Sequence, residues 1–120
     1  MSTTLPSRIL VCGGRTYRGV HYVHNTLDAL VQYFDDEFVI ITGGAPGVDA
    51  YAFVWAQDKG YPTIVMDAPW RFYEKGAGNI RNSWMLKWAA PDLILAFPGG
   101  SGTANMVAQG KDAGITVHEV

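Results

Sequence analysis

Apolar residues recur along the chain with two different periods. Five short runs, at residues 8–12, 38–42, 63–67, 92–97 and 115–120, are almost continuously apolar or β-branched, the pattern of strands buried on both faces. Between them the period changes to that of a helix. Val20, Val23, Leu27, Leu30, Val31 and Phe34 fall on one face at 3.6 residues per turn. A second helix starts near Pro46, turns Val48, Ala52, Trp55 and Ala56 to one side, and ends at Gly60, which suits a left-handed cap. A third runs from about Gly78 to Ala90 with Ile80, Trp84 and Trp88 aligned, and Pro91 stops it. The fourth follows the glycines at 99–102, carries Met106, Val107 and Ala113 inward, and finishes at Gly114.

Strand and helix therefore alternate throughout. Right-handed crossovers then build one five-stranded parallel sheet with helices on both faces, an α/β, Rossmann-like, doubly wound domain of strand order 3-2-1-4-5. Residues 8–120 form this domain and residues 1–7 are read as a flexible N-terminal segment. Winding reverses between strands 1 and 4, and ligands of such sheets sit at the carboxyl ends of the strands around that switch point. The loops after strands 1, 2 and 4 are the places to look.

Composition narrows the function classes. The 120 residues, 48% hydrophobic with a single cysteine, suffice for one core without disulfides. The formal charge is −2 and the basic residues are scattered, unlike the basic stripe of a nucleic-acid-binding protein. The acidic run Asp35-Asp36-Glu37 is read as a solvated loop. No apolar stretch approaches the roughly 20 residues of a membrane span, and the polar N-terminus lacks a secretory pattern. The expected location is the cytoplasm.

The three loops at the switch point are the most glycine-rich places in the chain: Gly13-Gly14-Arg15, Thr42-Gly43-Gly44-Ala45-Pro46-Gly47, and Pro98-Gly99-Gly100-Ser101-Gly102-Thr103. Glycine lets backbone amides approach a ligand, and the loops after strands 2 and 4 run into helix N-termini that favour an anion. A phosphate is the expected guest. A continuous glycine rim, Gly43-Gly44, Gly13-Gly14 and Gly99-Gly100, is expected to face the N-termini of the second and fourth helices. Standard fingerprints fail. Gly14 to Gly19 has the spacing of a Walker loop, yet Val20 and His21 stand where Lys and Ser or Thr are needed. No Gly-x-Gly-x-x-Gly follows the first strand, and the second ends at Thr42 rather than at an acidic residue.

The blocks 12–15, 42–50, 77–82 and 96–103 resemble the signatures of the SLOG superfamily, and within it the YspA-like, YpsA-related branch. The resemblance covers residues 8–120 and implies a Rossmann-like fold binding nucleotides or nucleotide-derived ligands, in bacteria or bacteriophages. The LOG phosphoribohydrolases of that superfamily share Pro-Gly-Gly-x-Gly-Thr and an arginine matched by Arg81, but carry acidic residues where this chain has Asn105 and Met106. Neither can act as a carboxylate on the sugar, which disfavours that reaction. DprA, similar over residues 43–56, binds single-stranded DNA, which the negative charge disfavours here.

Other residues carry two readings each. Asp49, in the first turn of the second helix, either complements the helix dipole or meets a ribose hydroxyl or base. Arg15 and Arg81 are candidates for a phosphate through their forked donors, with Asn82 and Thr103 as hydrogen-bonding partners. Cys12 reads as a small hydrophobe, and His21 and His24 lack a third metal ligand. The aromatic segment 69–78 either stacks on a base as a lid or closes a hydrophobic edge or subunit contact. Trp84 and Trp88 are expected in the core or in a homodimer interface. No motif requires a cofactor or metal. The resulting expectation is a homo-oligomeric protein that binds a nucleotide-derived small molecule as sensor or sequestering agent, with nucleotide hydrolysis or single-stranded DNA binding as alternatives.

Overall fold

Strand β1 (Ser7–Cys12) sends Ile9 and Val11 to one face of the sheet and Leu10 and Cys12 to the other, because successive side chains of a strand point in opposite directions. The computed structural model describes residues 7–34, 37–68 and 76–120. Its remaining strands are β2 (Phe38–Thr42), β3 (Thr63–Val65), β4 (Leu93–Ala96) and β5 (Thr116–Glu119). All pair in parallel in the order β3-β2-β1-β4-β5. At the centre, Ile9 lies between Ile40 and Leu93. The strand order, the element order and the single α/β domain are those read from the hydrophobic pattern. β1 begins at Ser7, whose amide donates to the Glu37 carbonyl at 3.2 Å.

The helices are α1 (Val20–Leu30), α2 (Val48–Lys59), α3 (Ala77–Trp84) and α4 (Ser101–Asp112). Helices α1 and α2 cover one face. There Val23, Leu27, Val48, Ala52, Trp55 and Ala56 pack on Ile9, Val11, Phe38, Ile40, Leu95 and Phe97. Trp55 stacks within 5.4 Å of Tyr61 and donates its indole N–H to Asp28 at 2.9 Å, so its one polar atom is satisfied. On the other face Met85, Ala89 and Met106 pack on Leu10, Cys12, Ile41, Ile94 and Ala96. Helix α2 ends at Gly60 with φ +78°, the left-handed cap its sequence calls for.

Two inward faces differ from expectation. The third helix buries Ala77, Asn82, Met85 and Ala89, while Ile80 and Trp84 of the aligned stripe are half-buried and Trp88 is 65% exposed, which takes Trp88 out of the core. Small and flexible residues let the helix approach the sheet where tryptophans would hold it off, and a π-helical turn at Met85–Ala89 closes it before Pro91. In α4, Met106 is buried and Val107 partly so, but Ala113 is exposed, because the helix has ended at Asp112. Residues 69–75 of the aromatic segment, and Asp35 and Asp36 of the acidic run, lie outside the described residues. No helix among the described residues is long and apolar enough to cross a membrane.

The carboxyl end of β1 meets α2 at unusually short range. A Cβ on Gly13 would collide with the side chains of Val48 and Phe97. Gly13→Ala is therefore expected to destabilise by about 1–3 kcal/mol through overpacking. Urea unfolding should give a lowered midpoint at unchanged m-value; an unchanged midpoint would show that the contact relaxes freely.

Candidate functional site

Two cavities open beyond the carboxyl ends of the strands. The larger, about 820 Å³, lies between the loop after β1 (Gly13, Gly14, Arg15, Thr16), the loop after β4 (Pro98 to Thr103) and the start of α3 (Gly76, Gly78, Asn79, Arg81, Asn82). Cys12, Ala45, Asp49, Met85 and Met106 complete its lining. The smaller, about 230 Å³, is bounded by Gly43, Gly44, Ala45, Pro46, Asp67 and Ala68, and shares Arg15, Ala45 and Arg81 with the larger.

The expected glycine rim is thus divided. Gly13, Gly14, Gly99, Gly100 and Gly102 border the larger cavity, whereas Gly43 and Gly44 border the smaller. Thr42 and Gly47 border neither. Thr42 is fully buried on β2, and its hydroxyl has no hydrogen-bond partner among the described residues. Gly47 packs with φ +78° against the Gly14 carbonyl and Arg15.

The two helix N-termini also differ. The first amide of α2, at Val48, donates to the Gly14 carbonyl at 3.3 Å, and Asp49 turns back to accept from the Gly43 and Ala45 amides at 3.1 and 3.2 Å. At the α2 end one amide is therefore taken up by the Gly14 carbonyl, and the Asp49 carboxylate already supplies a negative group beside it. Helix α4 opens at Gly100 with no side-chain cap, and its exposed residues Gly100, Ser101 and Gly102 line the larger cavity. Its orphan amides and dipole favour an anion there.

Arg81 stands where both cavities meet. Its Nη1 donates to the Gly43 carbonyl at 2.6 Å and its Nε to Asn82 Oδ1 at 3.1 Å, which holds the guanidinium plane while leaving Nη2 unengaged among the described residues. Burial lowers its pKa, and Asp49 opposes the shift; a guanidinium remains cationic at neutral pH. Asn82, itself buried, donates to the Gly102 carbonyl and to Asn105 Oδ1, each at 3.1 Å. Gln109 donates to that same Asn105 oxygen at 2.6 Å. Asn105 and Met106 thus serve as a packed amide and a buried thioether where the phosphoribohydrolases carry acids.

Burial pushes the Asp49 carboxyl up to about 6, against the lowering effects of the Ala45 amide, Arg81, the Gly43 amide and Arg15. Burial first, and then Asp49, push the Cys12 thiol up to about 12, so at neutral pH it is an unreactive thiol in the cavity wall. His24 donates to the Tyr51 carbonyl at 3.0 Å, and the described residues contain no group of three metal-ligating side chains. Sequence reasoning missed Asn79, Met85 and Asp67. The glycines at 76 and 78 were a legible signal for a loop at the cavity, but Asp67 had none beyond its place just past a strand.

Residues 7–73 match the YspA, cpYpsA-related SLOG family. A relative, the gene 61 protein of Mycobacterium phage D29, is 32% identical over 117 residues, covering 92% of this chain and 93% of its own. The chain belongs to the YspA, cpYpsA-related SLOG family. The family assignment agrees with the fold. The C-terminal domain of a hydrogenase from Pyrococcus furiosus superimposes with TM-score 0.56 over 100% of this chain and 98% of that domain at 16% identity. At that identity the likeness concerns the fold alone.

Asp49 makes a specific demand on pH. Its folded pKa of about 6 lies above the value of 3.8 for a free carboxyl, so the native state holds this proton more tightly than the unfolded chain. The associated stability is complete below about pH 4 and is lost as pH rises through about 6, on the order of 2–3 kcal/mol. Urea unfolding of the parent and of Asp49→Asn from pH 4 to 7.5 should show the difference in stability moving against the parent over that window. A pH-independent difference would contradict the assignment.

Proposed function

We propose that the protein binds a nucleotide or nucleotide-derived small molecule in the larger cavity, acting as a sensor or by sequestering it. The observation that carries this reading is the convergence of the uncapped α4 N-terminus and the held guanidinium of Arg81 on one cavity of about 820 Å³. Backbone amides and an arginine fork together recognise phosphate, and the volume lies within the range of small-molecule sites. The apolar wall made by Met85, Met106 and Cys12 suits the face of a base. The relative in a mycobacteriophage favours the sequestering form, removal of a host signalling nucleotide in an infected cell.

A second reading, hydrolysis of the bound nucleotide, has one observation in its favour. Asp49 lines the cavity with a pKa near neutrality, as a general acid or base requires. Against it, the carboxylate is already committed to two loop amides.

Small molecules released from protein purified without added ligand, identified by mass spectrometry and tested by calorimetry, decide the binding reading. Gly100→Ala places its Cβ where no atom of the described residues lies within 4 Å, at a negative φ of −92°, so the fold should be kept while affinity falls at least tenfold, about 1.4 kcal/mol. Arg81→Ala should weaken binding by as much, with some loss of stability because the Gly43 carbonyl loses its donor. A copurifying nucleotide that binds both variants as tightly as the parent would overturn the site. Gly44→Ala is not a comparable probe: Gly44 has φ +71°, and a Cβ there meets the Asp67 carboxylate. For the hydrolytic reading, incubation with a nucleotide panel should yield product that Asp49→Asn abolishes; a panel recovered unchanged removes it.

A further inference from the structure

The two cavities meet at a pair of cations. Arg15 and Arg81 border both. Two of the Arg81 nitrogens are held by the Gly43 carbonyl and Asn82, which leaves its remaining nitrogen and the exposed Arg15 fork for a ligand at the junction. Two guanidinium groups at one point suit two phosphoryl groups better than one.

Beyond that junction the chemistry changes sign. Asp67, just past β3, lines the smaller pocket and lies over Gly44, where only a residue without a Cβ leaves it room. Among the described residues it forms no ion pair within 4 Å with either arginine. An ionised carboxylate only accepts hydrogen bonds, so it repels a phosphate and pairs with hydroxyl or N–H groups. At about 230 Å³ the pocket falls below the usual range for a whole small-molecule ligand but has space for one sugar ring.

We propose that the smaller pocket is a second subsite of the same ligand, taking a hydroxylated sugar linked through a diphosphate to a nucleotide in the larger cavity, with Asp67 as the residue that reads its hydroxyls. The proposal rests on the nucleotide reading above and names its ligand class, a nucleoside diphosphate sugar. Reading from one end, the larger cavity holds the nucleoside, the α4 N-terminus and the two arginines hold the phosphates, and Asp67 accepts from the second sugar.

Calorimetry on the full chain with AMP, ADP, ADP-ribose and ADP-glucose, and with UDP and UDP-glucose, tests it. At least one sugar-linked compound should bind the parent tenfold or more tighter than its parent diphosphate. Asp67→Ala should bring it to within about twofold of the diphosphate, whose own affinity does not fall, and Asp67→Asn should keep part of the preference because its amide oxygen still accepts. Thermal melting checks that both variants are folded. Equal binding of diphosphates and their sugar derivatives to the parent, a preference that survives Asp67→Ala, or a matching loss of diphosphate affinity in that variant would each overturn the subsite. Nucleotide binding that responds to Gly100→Ala but shows no such preference leaves the larger cavity as the site and removes only the second. If no nucleotide binds, both readings fall.

Discussion

The backbone of Gly14 ties together the three loops on which the site is built. Its N–H donates to the Pro98 carbonyl at 2.9 Å, and its carbonyl accepts from the amides of Val48 and Tyr17, each at 3.3 Å. The loop after the central strand is thereby bonded to the loop after β4 and to the first turn of α2. Such approach leaves no space for a Cβ at Gly13 or Gly47, which explains a glycine requirement unrelated to ligand. It also makes the two helix N-termini unlike each other. The first α2 amide is spent on Gly14, whereas the first turn of α4, one strand further along the sheet, lines the larger cavity.

A chain of polar side chains then aligns the walls of the cavity. Asp49 holds the loop after β2, Arg81 reaches the Gly43 carbonyl on that loop, Asn82 holds Arg81, and Asn105 and Gln109 anchor Asn82 to α4. Arg81 and the loop amides offset part of the cost of burying the Asp49 carboxylate, and Asp49 offsets part of the cost of burying the guanidinium. Removing one member leaves its partners desolvated and unpaired, so loss at any link is felt across three loops. Asn105 belongs to this chain as an acceptor from two amide donors. Its role is to set geometry, and the cavity gains no carboxylate from α4.

Much of this was legible from the chain. Continuous apolar runs and period-3.6 segments placed every described strand and helix to within a few residues, because buried parallel strands are apolar on both faces and helices need an apolar stripe. The glycine loops and the topology directed attention to the carboxyl ends of β1, β2 and β4. The inner positions of the third helix were less legible, since a tryptophan stripe does not say whether it meets the sheet or lies on the surface. Here the sheet is approached closely and alanine and methionine take the inner positions.

What the sequence by itself determined is the alternation of elements, their parallel order and the family, all of which follow from local periodicity and short motifs. Only the tertiary structure decided which glycines face a cavity and which fill a contact, because Gly47 and Gly100 are identical as letters and differ in what lies where a Cβ would be. It likewise decided that Asp49 faces its own loop, that Arg81 is held at the meeting of two cavities, and that Asp67 lines a pocket no motif indicated. Those assignments depend on distances between segments far apart in the chain, which chain order does not encode residue by residue.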